Sequence, residues 1–281
     1  MFFADRKFIF YDGAMGTMLQ KRGLKPGERP DMMNIKSPDA VENVHRLYVE
    51  AGSDIICTNT FCANADALSV TGYSPQEIIS AAVAIAKRAS AGRAKVALDI
   101  GPTGKLVEPL GDLELSHAYE LFRQQVVAGE QAGADFCAIE TMSDIEEMKT
   151  AILAVTENSS LPVLATMSFE KSGYTFTGCT PELFAETAER MGAAAVGLNC
   201  SLEPTEMLET AKRIKKATEL PLIVKPNAGL PDGVTGAYGT SPQEFAQQML
   251  PFAAVGAKIV GGCCGTTPEY IAEIKRVFHN L

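Results

Sequence analysis

The most reactive side chains in this sequence stand at the ends of apolar runs. Residues 260–269 read VGGCCGTTPE, with Cys263 and Cys264 side by side among glycines, and GLNC puts Cys200 at the end of another such run. Three thiolates at one point suit a borderline-soft cation, and Zn2+ prefers tetrahedral sulfur. Three protein ligands leave a fourth position open, as catalytic zinc sites do. Adjacent cysteines on a regular strand point to opposite faces, so both reach one ion only where the chain turns out of the strand. Gly261, Gly262 and Gly265 offer that freedom and let the backbone come close. The spacing lacks the C-x-x-C pattern. Residue types alone leave two other readings open, buried apolar filler and a vicinal disulfide.

A second group centres on YDGAMGT, residues 11–17. Gly13 and Gly16 predict a tight turn whose backbone N–H groups, with Thr17, could hold a carboxylate. Asp12 beside it and Glu140, in IETMSD, offer anions for an ammonium group; together they suit a zwitterionic amino acid. The bland readings are a structural turn and, for Glu140, a helix cap. Lys225 is expected to pair with a nearby acid. Cys57 and Cys137 read as packed strand residues, Cys62 and Cys179 as loop residues, with Cys62 close enough to the second strand end to approach the site. His45, His117 and His279 fall in helical patterns and are expected at the surface or an interface, which disfavours histidine-centred catalysis.

Eight apolar segments end in these polar residues: 8–12, 54–58, 95–100, 135–141, 162–169, 194–200, 221–227 and 258–263. Amphipathic patterns at three- and four-residue spacing separate them, as over 38–52, 74–90 and 115–133. The junctions EAGSD, QAGAD, RMGAA and AVGAK each carry a glycine between a helical pattern and a strand, a helix-stop signal. Repeated βα units of this kind predict an α/β fold, a single (β/α)8 TIM barrel spanning 1–281, with a doubly wound open sheet as the alternative. In a barrel all strand C-termini open on one face, so residues distant in sequence converge there.

Composition narrows the partners. The chain has 281 residues, 46% hydrophobic and 21% charged, with a net charge of −9. No basic cluster predicts binding to nucleic acid or an anionic membrane. The start lacks a secretory leader pattern, and no apolar run approaches the ~18 residues of a membrane span. Seven cysteines, an odd number, are no secreted disulfide framework. These features predict a cytoplasmic protein with free, catalytic or metal-bound thiols.

In order along the chain, DGAMGT, CTNTFCAN, DIGPTG, IETMSD, GLNCS, KPNAG and GGCCGTTPE resemble the homocysteine S-methyltransferase family. Within it the chain is most similar to the homocysteine-binding barrel of cobalamin-dependent methionine synthases. The resemblance runs from about residue 8 to 279. It implies Zn2+ on Cys200, Cys263 and Cys264, and homocysteine bound through its thiolate. It also implies Asp12 and Glu140 near the substrate's amino group and the 13–17 segment near its carboxylate. Asn227, in KPNAG, either fills the fourth zinc position through its amide oxygen when substrate is absent or orders its loop. The family's methyl donors are a methylated corrinoid, betaine or S-methylmethionine. Small cationic donors favour aromatic faces, and a chain without Trp offers only Phe61 and Tyr174 near strand ends. Methylcobalamin on another domain or protein is therefore the expected donor. No Asp-x-His-x-x-Gly pattern predicts a corrinoid held by this chain itself. The stop at Leu281 fits either a fragment of a larger enzyme or a stand-alone methyltransferase. Other readings are a different thiol acceptor, a corrinoid-linked demethylase, and a non-catalytic zinc or redox barrel.

Overall fold

A computed structural model describes residues 3, 5–232 and 238–281. Eight strands alternate with helices: β1 Ile9–Phe10, β2 Ile55–Cys57, β3 Lys95–Ile100, β4 Phe136–Met142, β5 Val163–Met167, β6 Ala195–Asn199, β7 Leu222–Lys225 and β8 Ala257–Val260. All pair in parallel, in the order β1-β8-β7-β6-β5-β4-β3-β2. A parallel bridge from Tyr11 to Ile55 joins the two ends. The sheet thus closes into a (β/α)8 TIM barrel, and the open-sheet alternative falls.

Alternation along each strand divides the apolar residues into two cores. Ile9, Tyr11, Ile55, Cys57, Ala97, Ala138, Leu164, Ala195, Ile223 and Ile259 fill the barrel interior. Ile56, Val96, Leu98, Cys137, Ile139, Val163, Val196 and Val224 face outward beneath the helices. Continuing the inward parity by two residues changes the chemistry. Asp99 follows Ala97, Glu140 follows Ala138, Thr166 follows Leu164 and Lys225 follows Ile223. The interior is therefore apolar below and polar at the strand C-termini.

The helices start and stop where the sequence says. Pro75–Ser90 begins in a capping box between Ser74 and Glu77, and Pro38–Ala51 stops at Gly52. Gly52, Gly133, Gly192 and Gly256, one in each repeated junction, all adopt left-handed φ, at 102°, 91°, 91° and 94°. That conformation strains any residue with a Cβ, so glycine there ends the helix and turns the chain into the next strand. His45 lies in the buried stripe Val41, Val44, His45, Tyr48 and is fully buried, not at a surface. Among the described residues no helix is long and apolar enough to cross a membrane.

Candidate active site

Cys200 follows directly on β6 with φ of 62°, and Ser201 follows at 58°. Left-handed φ on a residue with a Cβ costs about 1–2 kcal/mol, and here it swings the thiol out of the strand. The Cys200 N–H donates to Lys225 O at 3.0 Å, which holds the turn against β7. Beyond β8, neither Gly261 nor Gly262 takes positive φ. Their value is close approach: a Cβ on Gly261 would lie 2.7 Å from Tyr11 Cβ, and one on Gly262 would lie 2.3 Å from Thr266 Oγ1. Gly265 does turn the chain, at φ 82°. The Cys263 N–H donates to Pro226 O at 2.8 Å and the Cys264 N–H to Asn227 Oδ1 at 3.1 Å.

These turns bring the three thiols together. Their sulfurs lie within 4.8 Å of one another, Cys200 Sγ and Cys264 Sγ 3.8 Å apart, and all three cysteines are free, not disulfide-bonded. Hydrogen bonds from Cys263 and Cys264 pull the Cys200 thiol down to about 3 despite its burial. Their bonding to Cys200 pushes Cys264 up to about 12 and raises Cys263 well above the usual thiol range. One negative charge therefore settles on Cys200, stabilised by the other two thiols.

Beside the sulfurs stand the inward acids. Asp12 is 2% exposed; its Oδ2 accepts from Cys57 N at 2.7 Å while Oδ1 has no partner. Burial raises its carboxyl to about 7, against the lowering pull of Lys225. Glu140 Oε2 meets Lys225 Nζ at 2.7 Å, and that ammonium sits 4.1 Å from the Tyr11 ring centroid. Burial pushes the Lys225 ammonium down, but Glu140, Cys57 and Asp12 outweigh it and raise the group well above its usual range. Glu140 caps no helix; Asp144 caps the helix Ile145–Asn158 through Glu146 N and Glu147 N.

In the 13–17 segment neither Gly13 nor Gly16 has positive φ. Gly13 packs where a Cβ would come 2.5 Å from Thr266 Oγ1 and 2.9 Å from the Tyr48 hydroxyl. Gly16 opens a five-residue helix, Gly16–Gln20, that no side chain caps, and has free space around it.

One cavity of about 540 Å³ is lined by Asp12, Gly13, Gly16, Thr17, Glu140, Cys200, Cys263 and Cys264. Asn227 is not in that lining; its amide oxygen accepts from the Cys264 N–H at 3.1 Å, and its side chain also hydrogen-bonds to Cys200. Several cavity residues had a different expectation or none. Cys57 lines the cavity rather than serving only as packing, and Cys62 and Phe61 line it too. Tyr174 lies outside the lining, half exposed, with the Arg213 guanidinium 5.9 Å from its ring. Asp99, Lys225 and Tyr238 also line the cavity. The signal for Asp99 was available, a charged side chain at inward parity in an apolar strand. No sequence signal brings Tyr238 to the thiols; it packs on Gly265, where a Cβ would lie 2.3 Å from its ring.

Fold and site together define a (β/α)8 barrel with a three-cysteine centre at its C-terminal mouth and a carboxylate-rich cavity beside it. The family model for homocysteine S-methyltransferases matches residues 9–278, and the chain belongs to that family. Among curated proteins it is 34% identical to methionine synthase of Mycobacterium tuberculosis over 301 residues, covering 99% of this chain and 25% of the relative. It is 33% identical to methionine synthase of Mycobacterium leprae over 287 residues, covering 94% of this chain and 24% of the relative. The chain thus spans about a quarter of the length of these relatives. Among solved structures, the metallated form of the homocysteine methyltransferase MmuM from Escherichia coli superposes with a TM-score of 0.83 at 23% identity, covering 97% of both chains. Its apo form gives 0.77 at 24% identity, covering 97% of this chain and 96% of that one. At these identities the likeness to MmuM shows the fold.

Proposed function

We propose that residues 1–281 form a zinc-dependent, homocysteine-binding barrel domain that methylates homocysteine to methionine, with methylcobalamin on another domain or protein as donor. The observation that carries this reading is the convergence of three free thiols within 4.8 Å at the mouth of a barrel of this family. Tetrahedral zinc with Zn–S bonds of about 2.3 Å sets its sulfurs about 3.8 Å apart, and Cys200 and Cys264 already stand at 3.8 Å. The donor set therefore fits zinc, with Cys200, Cys263 and Cys264 as its ligands. Bound there, zinc would supply deprotonation of the substrate thiol, ordinarily near pKa 8.5, leaving a sulfur able to displace a methyl group from its donor. Asp12 and Glu140 would take the substrate ammonium, and the backbone of Gly13, Gly16 and Thr17 its carboxylate. The cavity walls would keep water from the sulfur. The free thiols favour a reducing compartment, the cytoplasm.

Calorimetric titration of the zinc-loaded protein with homocysteine, in buffers of different ionisation enthalpy, tests this. The reading predicts release of about one proton on binding near pH 7 and loss of both zinc and binding in Cys200→Ala. Intact thiols that take no zinc, or zinc-loaded protein that ignores homocysteine, would overturn it.

A further inference from the structure

Two carboxylate oxygens in the cavity are buried without a protein partner, Asp12 Oδ1 and Asp99 Oδ1. Their residues are only 2% and 7% exposed. Buried acceptors are nearly always paired, so each orphan asks for a missing donor. Asp99 is held in a way that favours this. Its N–H donates to Thr58 Oγ1 at 3.0 Å and its carbonyl accepts from Thr60 Oγ1 at 2.7 Å. The backbone is pinned while the carboxylate stays free. A carboxylate oxygen of Asp99, one of Glu140 and Cys57 Sγ lie within 4.8 Å of one another.

Charge and valence say what fits. Asp12, Asp99 and Glu140 surround one protein cation, Lys225, which already engages Glu140 Oε2 at 2.7 Å. Three acids against one ammonium leave two carboxyls without a counter-cation, to be neutralised by protons or by a second monovalent cation. A divalent ion in the same place would sit against the Lys225 ammonium. An alkylammonium carries three N–H donors, and Asp12 Oδ1, Asp99 Oδ1 and the Glu140 carboxylate offer three acceptors. We infer that Asp99 is a third direct contact to the ammonium group of the substrate, and that it makes the cavity select amino-acid thiols over plain thiols. The inference rests on the homocysteine reading for the thiol end only; the three acids define the amine end by themselves.

The test compares equilibrium binding of L-homocysteine and its des-amino analogue 4-mercaptobutyrate to the zinc-loaded chain, wild type and Asp99→Asn. The inference predicts that wild type prefers homocysteine and that the variant weakens homocysteine about 10- to 100-fold, the range of a charge-assisted hydrogen bond. Binding of 4-mercaptobutyrate should stay within about twofold. An amine preference that survives Asp99→Asn, or none in wild type, overturns the inference while leaving the thiol reading standing. If neither thiol binds wild type, the thiol reading fails instead, and L-norleucine against hexanoate decides the amine site. A preference for norleucine lost in Asp99→Asn supports the inference; no preference overturns it. Asp99→Ala, with circular dichroism as the check on folding, repeats the comparison, and loss of the preference there as well separates contact from misfolding.

Discussion

Lys225 is the cation that Asp12, Asp99 and Glu140 share, and replacing it by methionine should show how much it offsets. The ammonium is 5% exposed, 2.7 Å from Glu140 and 4.1 Å from the Tyr11 ring centroid, with Asp12 and Asp99 among the acids it offsets. Methionine keeps most of the stem's volume, so packing loss is small. What is lost is the counter-charge, and removing one partner of a buried ion pair costs about 3–5 kcal/mol. The sign with pH follows from the raised acids. Asp12 already stands at about 7 through burial, even with Lys225 pulling it down. Without Lys225 its folded pKa rises further above the unfolded value of about 4. Such a group contributes stability that is fully present below the unfolded pKa and lost as pH rises through the folded one. The deficit of Lys225→Met relative to wild type should therefore grow as pH rises above about 7 and shrink toward pH 5. Urea unfolding of metal-stripped, reduced protein measures it, followed by far-UV circular dichroism because the chain has no Trp. Adding Glu140→Gln should restore most of the loss. A deficit under about 1 kcal/mol at alkaline pH, or one that grows toward acid, would refute the reasoning.

Other perturbations read other parts of the molecule. His45 is buried with neither ring nitrogen bonded, and burial lowers it to about 4. Its contribution is present above the unfolded pKa of about 6.5 and is lost as pH falls through about 4, some 3 kcal/mol in all; His45→Leu should flatten that acid slope in urea titrations. Gly197→Ala would place a Cβ 1.9 Å from the Ile223 carbonyl oxygen and should cost about 3 kcal/mol or more, whereas Gly16→Ala, in open space, should change urea stability by less than about 1 kcal/mol. Asn227→Ala removes the acceptor that fixes the Cys264 N–H at 3.1 Å. It should weaken zinc about 10- to 100-fold in chelator competition, with Asn227→Asp, which keeps an acceptor, closer to wild type.

How far the sequence discloses this molecule depends on whether a feature is local. Helix-stopping glycines and apolar runs are local, and they delimit all eight strands. The cysteine trio was legible through the resemblance of GLNC and GGCCGT to a family, since residue types alone left buried filler and a vicinal disulfide open. Features set by register were not. Cys57 and Cys137 look alike in sequence, yet barrel closure turns one inward and the other outward. Glu140 and Lys225 are 85 positions apart, and only adjacency across the barrel mouth pairs them. His45 was within reach: Val41, Val44 and Tyr48 share its helical stripe, and the periodicity marks it as buried. Absence of a Cβ serves close approach as readily as positive φ, so glycine alone does not say which use Gly13, Gly261 and Gly262 have. Only the neighbouring Tyr48, Tyr11 and Thr266 tell the two uses apart.

The central claim is that Cys200, Cys263 and Cys264 hold a zinc ion open to a substrate thiolate. X-ray absorption at the zinc edge, with and without homocysteine, tests it most directly. The account predicts three sulfur neighbours at about 2.3 Å that become four when homocysteine is added. A zinc environment dominated by nitrogen or oxygen, or three sulfurs unchanged by saturating homocysteine, would contradict it.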